Sequence, residues 1–577
     1  MKKNSFIKIL LFVLTMALLF VFAVQQRAKI WTFKPLNGVF VPTPEPELTL
    51  ETCRTAQYQT QLEQYLKENI GFREPLIRFY NQFLFDFFKA STNKDITVGK
   101  DNWLYFIQHV NDYYGTEMYR WYDSNDEACQ AYDREAQLMW KLRGVLQDYG
   151  VDFLVFMAPQ KGFLYPEHLP NRRIDTTTIN AREYYSAKFD EYGIPYAEMT
   201  KWFKELKEAD TLPYSLFPQT GAHWCFSAAL ATDSLLRFMG DLKGIQLPRL
   251  EYGPLFESFS KETLEPDYDI ELLANLIRPI PHKYDKLYEA EITAVSDETT
   301  TRPSVLFVGT SFLMRMYYFV SFDDVFSNSE YWYYNSTVFY GKRYNSVTQV
   351  SKLDILQKLL DADYVVWIAE GDQMCKASFG FVESALTHLC VSDERMEEVK
   401  LHILDSLRFD NATMLKYKDL EGDKLTAKLW GKANELMMKN PERFFPELAG
   451  DSIPTARNPR IPEALVIRDI KRDTAWMKNL QCQSVIRNAT LEQILKMEAQ
   501  NILNDRPLMR DEPNVVSRQT YVESLVKAME ETILANEELS RMAREKSEQN
   551  GISFEEQVNA DARWIINYQI DNGEIVF

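Results

Sequence analysis

The chain has 577 residues, of which 46% are hydrophobic and 14% aromatic, so it is long enough for two or three domains with sizeable cores. Its formal net charge of −18 argues against a nucleic-acid partner, because binding to phosphates requires concentrated Lys and Arg. The same charge disfavours broad adhesion to anionic lipid or to a strongly acidic glycan, but it leaves room for a local basic groove.

Residues 1–27 have the pattern of a signal anchor. Lys2, Lys3 and Lys8 precede an apolar run from Ile9 to Val24 that only Thr15 interrupts. This stretch is long enough to cross a bilayer, and no Ala-x-Ala cleavage site follows it. We therefore predict an uncleaved, single-pass transmembrane helix at the inner membrane of a bacterial cell, with the bulk of the chain periplasmic. The alternative is a cleaved signal peptide.

Residues 28–50 contain four prolines and are predicted to form an extended tether that lifts the body off the membrane. Residues 51–391 alternate helical patterns with short apolar runs, which predicts a parallel sheet flanked by helices. The clearest strands are 151–157, 304–308 and 364–369. Residues 392–577 are polar and helical and have no buried strand.

Within residues 392–577, two segments resemble each other. The segment that begins at Thr490 matches the segment that begins at Ser553, and each begins with a capping box. We interpret this as a possible helix-hairpin repeat, suited to docking with a membrane partner or within an oligomer.

The six cysteines are scattered, without a CxxC motif or metal-ligand spacing, and we predict neither a metal nor a bound cofactor. Cys375 and Cys390 are the nearest pair along the chain. A disulfide between them and buried free thiols remain alternative readings.

The central motif runs from Pro303 to Phe312 and ends a buried strand at Gly309-Thr310-Ser311. A serine on a tight turn between a strand and a helix projects its hydroxyl at the carboxyl edge of the sheet. Neighbouring backbone N–H groups there can receive an oxyanion, which makes Gly309 and Thr310 candidates. The alternative is a small residue that merely fits the turn.

A serine nucleophile needs a base with a pKa near neutral, and His223 is the candidate. It lies in Thr220-Gly-Ala-His-Trp224, just before a helical pattern. Taken alone, this histidine could equally be a packing residue at a helix start.

Together with three earlier motifs, these stretches resemble the AlgX/AlgJ-like group of SGNH-type polysaccharide O-acetyltransferases. The earlier motifs are the helix of residues 57–74 ending in Phe-Arg, the Gly99-Lys-Asp-Asn-Trp-Leu-Tyr105 hairpin, and the segment from Ala158 to Pro170. The motifs stand in the family's order over roughly residues 38–385. The resemblance implies an SGNH-hydrolase-like domain with Ser311 and His223 as the catalytic pair.

This sequence departs from the family pattern at one position. The family carries an aspartate two residues before the histidine to orient the imidazole, and here that residue is Gly221. Loss of such a group costs on the order of 10⁴-fold in related chemistry. Glu370 and Asp372 follow the 364–369 strand, and we name them as possible substitute acids.

Three further residues are weaker candidates for contact with substrate: Lys161 and Tyr165, just past the 151–157 strand, and Trp224 beside the histidine. The alternative for Lys161 is a solvated loop lysine.

The resemblance implies an extracytoplasmic O-acetyltransferase that acts on a cell-surface or exported polysaccharide. Because acetyl-CoA is cytoplasmic, it also implies a multi-spanning membrane-bound O-acyltransferase that passes the acetyl group outward. Two alternatives remain open. One is a carbohydrate acetyl esterase with water as the acceptor; the other is a non-catalytic glycan-binding or scaffold protein, which Gly221 favours.

Overall fold

The predicted parallel sheet is present at the centre of the structure. This computed structural model describes residues 2–38, 43–115, 120–121, 127–174, 179–258, 265–282, 286–340, 345–374, 378–418, 420–511, 518–571 and 575. The central sheet has seven strands.

The first part of the chain is mainly helical. Its elements are α1 (Lys2–Ala28), α2 (Leu50–Arg54), α3 (Gln57–Asn69), α4 (Arg73–Phe88), β1 (Ile96–Val98), β2 (Leu104–Phe106), α5 (Ile107–Tyr114) and β3 (Arg120–Trp121). β1 and β2 form the predicted hairpin.

The next part alternates helices and strands. Its elements are α6 (Glu127–Gln147), β4 (Asp152–Ala158), α7 (Lys161–Leu164), β5 (Ile179–Asn180), α8 (Ala181–Tyr192), β6 (Tyr196–Glu198), α9 (Met199–Ala209), α10 (Ser227–Lys243), β7 (Arg249–Tyr252), β8 (Phe256–Glu257), α11 (Asp269–Ala274), β9 (Tyr288–Glu289) and β10 (Ile292–Val295).

The remaining strands follow with their helices. They are β11 (Ser304–Gly309), α12 (Phe312–Phe319), α13 (Phe322–Val325), β12 (Asn328–Tyr333), β13 (Thr337–Tyr340), β14 (Asn345–Gln349), α14 (Ile355–Asp361), β15 (Tyr364–Glu370), α15 (Gly371–Met374) and α16 (Phe381–Cys390).

The regular elements described in the C-terminal part are helices, joined by irregular segments such as residues 453–458. Its helices are α17 (Asp393–Arg408), α18 (Asn411–Lys416), α19 (Gly422–Lys439), α20 (Ile461–Arg472), α21 (Thr474–Ile486), α22 (Leu491–Leu503), α23 (Arg518–Ala535), α24 (Glu537–Asn550) and α25 (Phe554–Asp571).

The seven strands of the central sheet lie in the order β14-β13-β12-β11-β15-β4-β6. The five strands from β12 to β6 are parallel, and β13 and β14 are antiparallel. Because parallel strands share an orientation, Gly309, Glu370 and Ala158 end β11, β15 and β4 at one edge. This edge carries the candidate site.

Alternate residues of the strands enter two different hydrophobic cores, as expected for a sheet covered on both faces. Val308 and Trp367 belong to the core formed with α6, α8 and α16. Phe307 and Val366 belong to the core formed with α9, α10 and α12. Some residues of α17, α19 and α20 pack into the first of these cores, so the sheet and the first C-terminal helices share apolar contacts.

The last helices form two smaller clusters. α20 to α22 surround one set of buried side chains, and α23 to α25 surround another. The predicted capping box at Thr490 is confirmed, as is the reciprocal pair of Ser553 and Glu556. α21 with α22 and α24 with α25 are helical pairs that include these two matching segments, which is consistent with the predicted hairpin repeat.

Within the part of the chain that the structure describes, one helix has the length and apolar character needed to cross a membrane, over Lys8–Ala28. The chain that follows is irregular, as predicted for the tether, but its first residues lie against the body. Arg78 donates to the carbonyl oxygens of Lys34 and Pro35, and Asn37 exchanges hydrogen bonds with Asn275. At least to Gly38, therefore, the tether is not a free spacer.

Cys129, Cys225 and Cys390 are buried, Cys482 is half-buried and Cys53 is exposed. Cys375 lies outside the described residues. Among the residues that are described, no cluster of His, Cys, Asp or Glu is arranged to hold a metal ion.

Candidate active site

Ser311 lies where the sequence predicts it, on the turn between β11 and α12. It occupies the N-cap of α12, with φ −59° and ψ −13°. Behind it, β11 ends in a glycine because a Cβ at Gly309 would lie 2.2 Å from the carbonyl oxygen of Ile368 on β15. The close approach of the two strands fixes the turn and thereby the direction of the Ser311 side chain.

His223 contacts Ser311 directly, although 88 positions separate them in the chain. The Nε2 atom of His223 lies 2.7 Å from the Oγ atom of Ser311. The imidazole also packs against the ring of Phe312, with centroids 5.2 Å apart. The structure thus brings together the two residues that the sequence named as the candidate nucleophile and base.

The acid beside the histidine is Asp269, which the sequence analysis did not identify. Its Oδ2 atom lies 2.7 Å from the Nδ1 atom of His223. Its other oxygen, Oδ1, accepts hydrogen bonds from the backbone N–H groups of Ala222 and Ile270, both at 2.8 Å. A carboxylate can only accept, so the proton of the neutral imidazole lies on Nδ1 and Nε2 is free to accept from Ser311.

Of the two acids named from the sequence, Glu370 contacts the turn that carries Ser311. Glu370 is buried, and its Oε2 atom accepts a hydrogen bond from Thr310 Oγ1 at 2.5 Å. Asp372 lies in α15, and its side chain is outside the described residues. The possible substitute acid Glu370 thus contacts the turn that carries Ser311, whereas the carboxylate at His223 Nδ1 is Asp269.

Thr310 is fully buried and holds the turn through three contacts. Its N–H donates to the carbonyl oxygen of Ile368 at 3.1 Å, and its hydroxyl donates to Glu370. Its carbonyl oxygen accepts from the hydroxyl of Tyr331 at 2.5 Å. Burial raises the pKa of Tyr331, so this phenol remains a donor. The sequence named Thr310 as a candidate donor to the oxyanion. Its N–H, however, already donates to the carbonyl oxygen of Ile368 in the central sheet.

Lys161 is completely buried rather than solvated. Its Nζ atom donates to the carbonyl oxygens of Leu104, Gln219 and Gly221, at 2.7, 2.9 and 2.7 Å. All three ammonium hydrogens therefore have acceptors, and the side chain ties the loop before His223 to the β1–β2 hairpin. Lys161 is not among the described residues that line the cavity beside Ser311.

Tyr165 and Trp224 are the other two weak candidates for substrate contact. Neither is among the described residues that line the cavity beside Ser311. The hydroxyl of Tyr165 accepts from the N–H of Leu216 at 3.3 Å, and burial raises its pKa. The indole of Trp224 is fully buried and donates to the carbonyl oxygen of Phe312 at 3.0 Å. Both residues stabilise the segments that carry His223 and Ser311.

A third carboxylate, Asp267, anchors the loop that carries Asp269. Its Oδ1 atom lies 2.7 Å from Nη2 of Arg315, and both side chains are 2% exposed. Arg315 belongs to α12, the helix that begins beside Ser311, and its Nε atom also donates to the carbonyl oxygen of Trp224 at 3.3 Å. One guanidinium thus connects the segments that carry the serine, the histidine and the acid.

The reactive atoms open into a cavity of about 200 Å³. Ser311 and His223 form part of its wall, and the side chains of His223 and Asp269 are 18% and 22% exposed. A small acyl group and a hydroxyl or water can therefore approach Ser311 from this side. The described residues that line the cavity are Asp95, Phe106, Gln108, His109, Ala222, His223, Ser311, Phe312, Tyr334, Glu370 and Gln373.

The fold and the site define a protein with an SGNH hydrolase-like domain. Residues 96–324 match the family described as the SGNH hydrolase-like domain of acetyltransferase AlgX, and this range includes Ser311, His223 and Asp269. This part of the chain is therefore similar to the SGNH hydrolase-like acetyltransferase domain of that family.

Three solved structures share low similarity with the chain. The O-acetyltransferase domain of Pseudomonas putida AlgJ is 16% identical, with 48% of this chain and 92% of that chain covered and a TM-score of 0.31. Pseudomonas aeruginosa AlgX is 13% identical, with 50% and 67% covered and a TM-score of 0.31. Bacillus cereus PatB1 is 13% identical, with 48% and 96% covered and a TM-score of 0.28. At these TM-scores, the three similarities do not bear on function. No curated protein sequence matches the chain.

Proposed function

We propose that this protein is an extracytoplasmic O-acetyltransferase that transfers acetyl groups to a polysaccharide through Ser311, His223 and Asp269. The observation that carries the proposal is the continuous hydrogen-bonded chain from Asp269 through His223 to Ser311, with both links at 2.7 Å. The match of residues 96–324 to an acetyltransferase domain family supports the choice of acyl group.

In the first half-reaction, His223 Nε2 takes the proton of Ser311 as its Oγ attacks the carbonyl carbon of an acetyl donor. The donor's leaving group then departs with that proton, and acetyl-Ser311 remains. Asp269 accepts the hydrogen bond from Nδ1 throughout, which keeps the imidazole in the productive tautomer and stabilises the imidazolium.

In the second half-reaction, a sugar hydroxyl enters the cavity and gives its proton to His223 as its oxygen attacks acetyl-Ser311. Collapse of the tetrahedral intermediate breaks the bond to Ser311 Oγ, which recovers a proton from the imidazolium. The products are an O-acetylated sugar and the original serine.

The oxyanion needs donors beside Ser311. The first N–H groups of a helix have no partner within the helix and carry its positive dipole end. The amides of Ser311 and Phe312 are in this position at the start of α12, whereas the amide of Thr310 is bonded to β15. We therefore assign the oxyanion to the Ser311 and Phe312 amides rather than to Gly309 or Thr310.

The proposed acetyl source is acetyl-CoA, used indirectly. The proposed location is the periplasmic face of the inner membrane, with α1 as a single-pass anchor. Since acetyl-CoA is cytoplasmic, a multi-spanning membrane-bound O-acyltransferase would deliver the acetyl group to this side. The chain itself would bind no cofactor.

Hydrolysis is the second candidate function. The partial exposure of His223 and Asp269 lets water reach the same cavity, and water attacking acetyl-Ser311 would make the protein a carbohydrate acetyl esterase. The hypothesis of a non-catalytic protein rested mainly on Gly221, which has no carboxylate to orient His223. Asp269 supplies a carboxylate at the Nδ1 atom of His223, so this argument no longer favours that hypothesis.

The test uses the detergent-purified full chain with a chromogenic acetyl ester. Ser311→Ala and His223→Ala should each abolish turnover, whereas Ser327→Ala and His402→Ala, at exposed positions, should not change it. Addition of oligosaccharides should then yield acetylated sugar, detected by mass. Turnover equal in wild type and Ser311→Ala would refute the proposal, and acetate as the sole product would assign the esterase function.

A further inference from the structure

We propose that one face of α4 inserts into the lipid–water interface beside α1 and fixes the orientation of the catalytic domain on the membrane. This inference rests on the proposed membrane attachment. The surface concerned, here called the α4 stripe, consists of apolar side chains that are 43% to 73% exposed. They are Leu76, Phe79, Tyr80, Phe83 and Phe87.

The α4 stripe has helical spacing, since its members recur every three or four residues and therefore share one face. The opposite face of α4 meets the body through Asn81, Gln82 and the buried ring of Phe85. Asn81 is buried and donates to the carbonyl oxygen of Ala274 at 2.8 Å, and Gln82 accepts from the N–H of Arg278 at 2.9 Å. The helix thus buries one aromatic side chain, Phe85, and leaves five large apolar side chains exposed on the other face, more than contact with the body requires.

The α4 stripe begins where α1 ends. Phe72, the N-cap of α4, packs against Phe22 of α1 with ring centroids 5.8 Å apart. The two segments approach so closely that a Cβ at Gly71 would lie 2.3 Å from the carbonyl oxygen of Phe22. The apolar surface of α1 therefore continues onto α4 at the point where α1 would leave the membrane.

The residues around this junction suit a lipid headgroup region. Trp31 and Phe33 pack on Phe72, with centroids 5.6 Å away in both cases, and Trp31 remains 54% exposed. Aromatic side chains of this amphipathic kind favour the membrane interface. Between Arg27 and Gly38 the sequence has three basic residues and no acidic one, in a chain of net charge −18. Such a segment is attracted to lipid phosphates.

These observations select lipid over a protein partner because the exposed face is continuous with the candidate spanning helix. A 16-residue helix is about 24 Å long, so α4 lying in the interface would hold the body at two separated points, α1 and the far end of α4. The catalytic cavity would then keep a constant height and direction relative to the bilayer.

The experiment uses the full chain with Cys53→Ser, reconstituted into vesicles of phosphatidylethanolamine and phosphatidylglycerol. Spin labels are attached at Phe83→Cys or Phe87→Cys, and the labelled parent without either cysteine supplies the background. Phe409→Cys, at a side chain that is 87% exposed in the C-terminal helical part, is the aqueous control. Phe12→Cys, within α1, reports on the anchor alone.

Collisions with oxygen and with a water-soluble nickel complex give the immersion depth. We expect the oxygen-to-nickel ratio at positions 83 and 87 to exceed that at 409 by about threefold or more, as for side chains in the acyl boundary. A ratio equal to that at 409 would overturn the inference, and so would low collision with both reagents, which indicates a protein contact.

The label at position 12 tests the membrane anchor separately from the insertion of α4. Lipid exposure at position 12 with aqueous values at 83 and 87 would refute the α4 insertion while leaving the membrane anchor intact. Because the label reports depth rather than turnover, the result is also independent of the acetyltransferase assay.

Discussion

Gly221 and Asp267 approach each other so closely that a Cβ on Gly221 would lie 2.6 Å from the carbonyl oxygen of Asp267. This approach places Asp269, two residues later, against His223. The glycine that replaces the family's aspartate therefore has a physical role: it makes room for the segment that brings another carboxylate to the same imidazole.

We expect Gly221→Ala to lower kcat for acetyl-ester turnover by about tenfold to a hundredfold, because it displaces the segment that holds Asp269 and misaligns His223. Gly431→Ala is the matched control, since a Cβ there meets nothing within 4 Å. Kinetics with the chromogenic ester test this, and unchanged kcat in Gly221→Ala would contradict the role given to the glycine.

The identity of the acid can be tested with two isosteric amides. Asp269→Asn should lower kcat by about 10³- to 10⁴-fold, because an amide cannot stabilise the imidazolium that forms on proton transfer. Glu370→Gln should have a much smaller effect, because Glu370 supports the turn through Thr310, whereas the carboxylate at His223 Nδ1 is Asp269. If Glu370→Gln proved the more damaging change, the assignment of Asp269 would be wrong.

Arg315→Met should destabilise the fold by about 3 kcal/mol or more, since it leaves the buried carboxylate of Asp267 without its charged partner. Urea denaturation followed by circular dichroism measures this loss. Arg237→Met removes an arginine whose side chain is 76% exposed and should change stability by less than about 1 kcal/mol. Similar midpoints for the two variants would argue against a structural role for the buried pair.

Lys161→Met should also lower stability by about 3 kcal/mol or more, because three buried carbonyl oxygens lose their donor. The loop before His223 is one of the segments released, so kcat should fall in the folded fraction as well. Lys424→Met, at an exposed position of α19, supplies the comparison. A Lys161→Met protein with wild-type stability would show that the three contacts contribute little.

Stability should depend on pH through Glu383. Burial and the neighbouring Glu135 raise the pKa of Glu383 above its ordinary value of 4.5. In this range the folded state retains a proton that the unfolded state has released, so the free energy of unfolding falls as pH rises from about 4.5 through the raised pKa. Below the ordinary pKa, both states are protonated and this dependence disappears.

We therefore expect the wild-type Tm to fall more between about pH 5 and about pH 8 than the Tm of Glu383→Gln, which cannot ionise. Glu397→Gln, on the exposed side of α17, should retain the wild-type slope. Parallel Tm curves for wild type and Glu383→Gln would exclude Glu383 as the source of the dependence.

The sequence was sufficient for the main strands, the serine turn and the histidine, because apolar runs and turn residues act locally. The strand predicted over 304–308 is observed over Ser304–Gly309, and the one over 364–369 is observed over Tyr364–Glu370. Asp269 could not be found in this way. It is one of 83 acidic residues and has no distinctive local pattern, and it reaches His223 only because Gly221 admits the neighbouring backbone.

Lys161 illustrates the same limit. A lysine just after a strand is usually solvated, and only the tertiary convergence of three carbonyl oxygens makes this one a buried structural group. The exposed aromatic face of α4 is a related case, since the sequence alone does not show which side of this helix faces outward.

The hydrogen-bonded chain from Asp269 to Ser311 joins residues that stand 46 and 88 positions from His223. Such nonlocal closures form late, after local helices and hairpins. During refolding, helical ellipticity should recover well before ester turnover. The return of turnover would therefore mark the completion of the tertiary structure. A chain arrested with its helices formed but these segments still apart would not turn over the ester, because Asp269, His223 and Ser311 would not yet be joined by hydrogen bonds.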